Sequence, residues 1–134
     1  MKLSSARLPE WSLRLGLAAT YLYSGLDLVR HPTAWYWALR PLPDFFQSII
    51  HTVGTDRYLR LQGASELVFA AVFLAWFLPL KIVRIVAALT ALEMLAILLM
   101  VGTNGETFRD IGILGAAAGL FFLIKKTTNA MPSM

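Results

Sequence analysis

Long apolar blocks alternate with short polar ones along the chain, and the blocks lack the polar recurrence every three or four residues that marks the wet face of a soluble helix. Four blocks are long enough to cross a bilayer as helices: 11–29, 61–78, 82–101 and 108–124. The pattern predicts an all-α fold, an integral membrane four-helix bundle in which residues 1–134 form a single domain. A cleaved signal peptide competes for the first block. Its apolar core would be shorter and would lead into a soluble domain, whereas three more apolar blocks follow here.

The connections carry their own signals. Pro32 closes the first helix, and Trp35, Tyr36 and Trp37 have the amphipathic rings expected at headgroup level. After Pro43, Asp44 is the predicted N-cap of a short helix that places Phe45, Phe46, Ile49, Ile50 and Val53 on one side and ends at Gly54. This first outer loop is predicted to lie on the membrane as an interfacial helix. Asp56 is the predicted cap of the second long helix, which runs on to Pro79. Asn104 and Gly105 mark a turn, and Thr107 with Asp110 has the spacing of a capping box for the fourth helix. Gly112, Ala116 and Gly119, with the Gly115 and Gly119 pair, predict that this helix is packed inside the bundle, because small residues let backbones approach.

Composition supports lipid as the solvent, with 57% hydrophobic and 15% charged residues. The absence of cysteine excludes disulfides, thiol redox chemistry and Cys-ligated metal or iron–sulfur centres. A net charge of +4 raises the question of nucleic acid, but the basic residues form no stripe with interleaved aromatics, so none is expected as a partner. Orientation accounts for them better. Seven of the 12 Lys and Arg fall on the side of the termini and the 81–84 loop, and five on the other. Both termini are therefore expected in the cytoplasm, with the bundle in the inner membrane. Trp11 and Trp76 would anchor the cytoplasmic interface, with Arg14 snorkelling to it. His31 and His51 lack metal-ligand spacing, and no metal site is predicted.

Polar residues inside the blocks are where function is expected. Counting ~1.5 Å per residue, Glu66 lies ~8 Å and Glu93 ~12 Å from the outer ends of their spans, in one layer. Asp27, Gln62, Arg109 and Asp110 lie at the same side. Helical spacing groups Gly16, Thr20, Tyr23 and Asp27 on one face of the first helix, Gln62 and Glu66 on one face of the second, and Thr90 and Glu93 on one face of the third. These faces are predicted to turn inward, making Glu66, Glu93, Asp27, Gln62 and Arg109 the ligand-binding set. At matched depth Glu66 and Glu93 would be paired with Arg109 or Arg60, share a proton, or line a wet cavity; Arg109 is either that counter-charge or an interfacial residue, and Asp110 is expected to cap. Tyr21 and Tyr23 are expected as core or interface aromatics. The plainer alternative makes Glu66 and Glu93 protonated hydrogen-bonding glue between helices. No catalytic residue is assigned.

Arg14-Leu15-Gly16, Tyr23-Ser24-Gly25, Pro32, Gly63 with Glu66, and the run from Phe108 through Arg109-Asp110-Ile111-Gly112 to Ala117 together resemble the DoxX family of small bacterial and archaeal membrane proteins. The likeness covers nearly the whole chain. Members often carry a lysine three residues after the glycine of the first helix, where this chain has Leu28, which leaves Arg30 or Arg109 to pair with Asp27. The resemblance implies a four-helix membrane bundle associated with quinol oxidase or thiosulfate:quinone oxidoreductase systems.

The expected function is a non-catalytic subunit or binding protein with an outer-facing polar pocket for a quinone or lipid. A quinone-linked oxidoreductase subunit, using Glu66 or Glu93 for proton transfer, is one alternative. No motif here holds haem, flavin or metal, so its electrons would come from a partner in a membrane oxidoreductase complex. A membrane-protein assembly factor docking through the fourth helix is the other, and a homo-oligomer is a further candidate partner state.

Overall fold

The computed structural model describes residues 7–130, and these are all-α. Helix α1 spans Arg7–Arg30, a 3-10 turn covers Pro32–Trp35, and α2 (Tyr36–Leu39) and α3 (Asp44–Val53) form the first loop. The long helices α4 (Thr55–Leu74), α5 (Leu80–Met100) and α6 (Phe108–Ala130) complete the chain. The loop thus holds two short helices and a 3-10 turn where one interfacial helix was predicted.

Helix α1 packs along α4 and α5 along α6. The two pairs join chiefly where α1 meets α6, while α4 and α5 touch only sparsely. The buried positions of α1 are Arg14, Leu17, Ala18, Tyr21, Gly25 and Leu28, and those of α4 are Leu59, Gly63, Glu66, Ala70 and Phe73. Both sets advance by three or four residues and so line one side of a helix. The core joins Leu17, Ala18 and Tyr21 of α1 and Ala70 and Phe73 of α4 to Val83, Val86, Ala87 and Met94 of α5 and to Ala117, Leu120 and Ile124 of α6.

Helix α5 is the one helix, among the described residues, that is long and apolar enough by length and composition to cross a membrane, with a mean hydropathy of 2.3. The block 61–78 does not form one helix. Ala75 adopts an extended backbone at φ −73° and ψ 107°, so α4 stops at Leu74 and residues 75–79 turn into α5. Arg14 makes this early end stable. Its Nε donates to the Phe73 carbonyl at 2.8 Å and a terminal nitrogen donates to the Ala75 carbonyl at 2.6 Å, satisfying groups a helix end leaves orphaned. The expected snorkelling anchor is instead only 3% exposed, ion-paired to Glu10 at 3.0 Å, with its guanidinium carbon 4.1 Å from the Trp11 ring centroid. Trp76 stands exposed in the turn.

Three expected caps are replaced by other chemistry. Pro43 holds the N-cap position of α3, and its carbonyl accepts from Phe46 and Gln47, while Asp44 makes no capping bond. Gly54 ends α3 as predicted, at a φ of 98° that favours glycine, and it also stands before α4. Asp56 consequently lies inside α4, where it accepts from the Tyr36 hydroxyl rather than capping. That bond pushes the Tyr36 phenol above its ordinary pKa, because ionising it would set a second negative charge against Asp56.

Ahead of α6 there is no capping box. Asn104 Oδ1 accepts from the Glu106 and Thr107 amides at 2.8 and 3.0 Å, in an Asx turn. The Thr107 hydroxyl donates to the Gly102 carbonyl at 2.6 Å and accepts from the Asn104 amide at 2.9 Å. Only the Thr107 backbone carbonyl meets the Asp110 amide.

The glycine prediction for α6 is also corrected. A Cβ on Gly112 or Gly115 would meet nothing within 4 Å, and one on Gly119 would meet only Leu13. The close approach of helices lies at Gly25 and Gly63, between α1 and α4.

Candidate functional site

Because Gly25 and Gly63 bring α1 and α4 into backbone contact, the residues one turn away on each helix are set side by side. Glu66 follows Gly63 by three positions and is 8% exposed, and the Ser24 hydroxyl on α1 donates to its Oε2. Gln62, on the preceding turn of α4, reaches the other way and donates its amide to Glu93 Oε1 on α5. The Tyr21 hydroxyl donates to Glu93 Oε2 at 2.6 Å. Its ring is fixed by Phe69, edge-on at 5.7 Å, and by Phe73, stacked at 6.5 Å. Tyr21, Gln62 and Glu93 therefore bridge three helices across the sparsely packed α4–α5 seam, with Ser24 and Glu66 alongside. Thr90, three residues before Glu93, is fully buried, and its hydroxyl has no hydrogen-bond partner.

The cluster's chemistry follows from what donates to it. Among the described residues Glu66 and Glu93 receive side-chain hydrogen bonds only from uncharged groups, a serine, a tyrosine and an amide. Asp110 on α6 is close enough for its charge to act on both. Glu66 and Glu93, carboxyl groups from two helices with no cation in hydrogen-bond reach among the described residues, can take up protons, and a protonated one can donate a hydrogen bond as well as accept one.

Of the predicted set, Glu66, Glu93 and Gln62 come together. Asp27 and Arg109 do not join them. Asp27 pairs with His31 Nδ1 at 3.0 Å and accepts from the Trp35 indole at 2.8 Å, tying the end of α1 to the 3-10 turn. Arg30 and Arg109 are not its partners. Arg109 is half exposed and folds back on Glu106, donating from Nε to its carbonyl at 3.0 Å, while Arg60 donates to the Val29 carbonyl.

The face of Gly16, Thr20 and Tyr23 points outward, with Tyr23 73% exposed, because Gly25 must face α4 and the opposite side of α1 is left outside. Tyr21 and Ser24 were not in the predicted set. The signal for them was Gly25 itself, since both lie within one turn of it on the same side as Leu17 and Leu28.

Two clefts open elsewhere. One of about 250 Å³ lies among α2, α3 and the start of α4, and one of about 180 Å³ lies beside Tyr23, Asp27 and His31; neither is lined by Glu66 or Glu93. Compared with family models, with curated proteins and with solved structures, the chain matches none.

Proposed function

We propose that this chain is a DoxX-like four-helix protein of the inner membrane, with both termini in the cytoplasm, and that it binds a lipophilic molecule with a polar head, a quinone or a lipid, without catalysing its conversion. The observation that carries this is the convergence of Tyr21, Gln62 and Glu93 from three helices, beside Glu66 and Ser24, with no cation bonded to the two glutamates among the described residues. Such a cluster can exchange its internal hydrogen bonds for those of a carbonyl or hydroxyl head, with the apolar helix walls around it to hold a tail. Leu22 of α1, Val68 of α4, Leu92 and Leu99 of α5 and Phe122 of α6 are all exposed, which suits a lipid surround. The protein then serves as a subunit or accessory of a membrane redox system, alone or as a homo-oligomer.

The test is an unbiased lipid extraction of the purified protein with mass analysis, set beside a Glu66→Gln plus Glu93→Gln variant. The expected result is a lipophilic species enriched with the wild type and depleted from the variant. Identical extracts would leave the two acids as helix glue. A quinone-linked oxidoreductase subunit, in which Glu66 or Glu93 passes protons, is the second candidate, favoured by the hydrogen bonding of both acids to uncharged groups only among the described residues. It requires a stable redox-centre partner on purification, and a monodisperse particle without one argues against it.

A further inference from the structure

We propose that the cleft among α2, α3 and the start of α4 seats the phosphate of an anionic phospholipid headgroup, with Arg40 and His51 as its donors. The cleft has a volume of about 250 Å³, room for a phosphodiester rather than a drug-sized molecule. Its polar wall is divided between committed and uncommitted groups. The Gln47 amide is used internally, donating to the Arg40 carbonyl at 3.1 Å and the Leu42 carbonyl at 2.8 Å, which pins the turn after α2 against α3. The Tyr36 hydroxyl is engaged by Asp56 and joins α2 to α4. Arg40 and His51 line the same cleft, are exposed, and have no side-chain partner among the described residues. A guanidinium and an imidazole lining one cleft, on a frame held by other bonds, suit a phosphate, which a guanidinium can grip with two parallel hydrogen bonds.

The neighbouring face of α3 says where that phosphate comes from. Phe45, Phe46 and Ile49 are exposed together on one side, with Phe45 70% exposed, and Gln47 and His51 lie on the opposite side of the same helix. With the apolar side lowered into acyl chains, the cleft lies on the polar side of α3, turned toward the headgroup layer. A lipid thus meets both surfaces at once, and a free phosphate meets only one. The inference rests on the bilayer placement proposed above but not on what Glu66 and Glu93 hold.

The full chain in phosphatidylcholine nanodiscs would be titrated with short-chain phosphatidylglycerol, short-chain phosphatidylcholine and inorganic phosphate, with binding read by native mass spectrometry. Phosphatidylglycerol should bind about fivefold more tightly than phosphatidylcholine, because both offer the same phosphodiester to Arg40 and His51 but only phosphatidylcholine brings a quaternary ammonium that the Arg40 guanidinium repels, by about 1 kcal/mol in water. Arg40→Gln and His51→Gln should each remove most of that preference, and Arg57→Gln, exposed outside the cleft, should retain it. Because Arg40 and His51 are exposed, their substitution leaves the core intact. Equal binding of the two lipids, or an unchanged Arg40→Gln, would overturn the proposal. Displacement of phosphatidylglycerol by equimolar inorganic phosphate would overturn the lipid assignment. Resistance to carbonate extraction from membranes separates the two levels: a chain that resists extraction but does not discriminate lipids defeats this inference alone, and one that is extracted defeats the bilayer placement as well.

Discussion

Gly25 and Gly63 face each other across the α1–α4 crossing so closely that a Cβ on Gly25 would lie 2.8 Å from the Gly63 carbonyl oxygen, and one on Gly63 would lie 2.7 Å from the Gly25 carbonyl oxygen. The obstructing atoms are backbone, so no side-chain rotation can make room. This crossing places Ser24 beside Glu66, and its loss would undo the polar cluster as well as the packing.

Gly63→Ala should therefore destabilise the fold by about 1–3 kcal/mol, the usual range for overpacking a close contact. Gly115→Ala should be neutral or stabilising by about 0.5–1 kcal/mol, since its side chain would enter open space and the helix gains propensity. Thermal unfolding in detergent, followed by circular dichroism, compares the two. Equal behaviour would contradict the helix crossing described.

Arg14 is the second point of leverage, because one buried guanidinium serves two carbonyls at the end of α4, Glu10, and the Trp11 ring. Arg14→Met should cost about 3 kcal/mol by leaving those carbonyls and the Glu10 carboxylate without their partner. Arg14→Lys should recover part of this, as a point charge cannot reproduce the planar fork. Denaturant titration measures both. A neutral Arg14→Met would return this residue to the role of an interfacial anchor.

The turn before α6 separates two kinds of cap. Thr107→Val should cost about 1–2 kcal/mol, because the Gly102 carbonyl and the Asn104 amide each lose a partner. Asp110→Asn should not lower stability, since the Asp110 side chain caps nothing and makes no hydrogen bond or ion pair among the described residues. A capping box would require the opposite for Asp110, and unfolding midpoints of the two variants decide.

Much of this was legible along the chain. The apolar blocks located the four long helices, Gly54 marked the break between α3 and α4, and Gln62, Glu66 and Glu93 stood out as polar residues set in apolar surroundings. These are local properties. Helix formation depends on a few residues of sequence, and a carboxylate in an apolar block is conspicuous wherever the block packs.

Which side of each helix faces inward was decided only in three dimensions. Apolar residues lie nearly all round α6, and the face of α1 that gathers Gly16, Thr20, Tyr23 and Asp27, predicted to turn inward, is turned out by the meeting of Gly25 with Gly63, which buries Tyr21 instead. That approach turned Tyr21 and Ser24 toward the acids, left Asp27 to His31 and Trp35, and left Gly112 and Gly115 facing open space. The end of α4 was likewise set by Arg14, 59 residues before Phe73, whose hydrogen bonds let the helix stop inside an apolar run. Periodicity is a property of neighbours in sequence. Rotation, partner and helix end depended on atoms that only the packed bundle brings together.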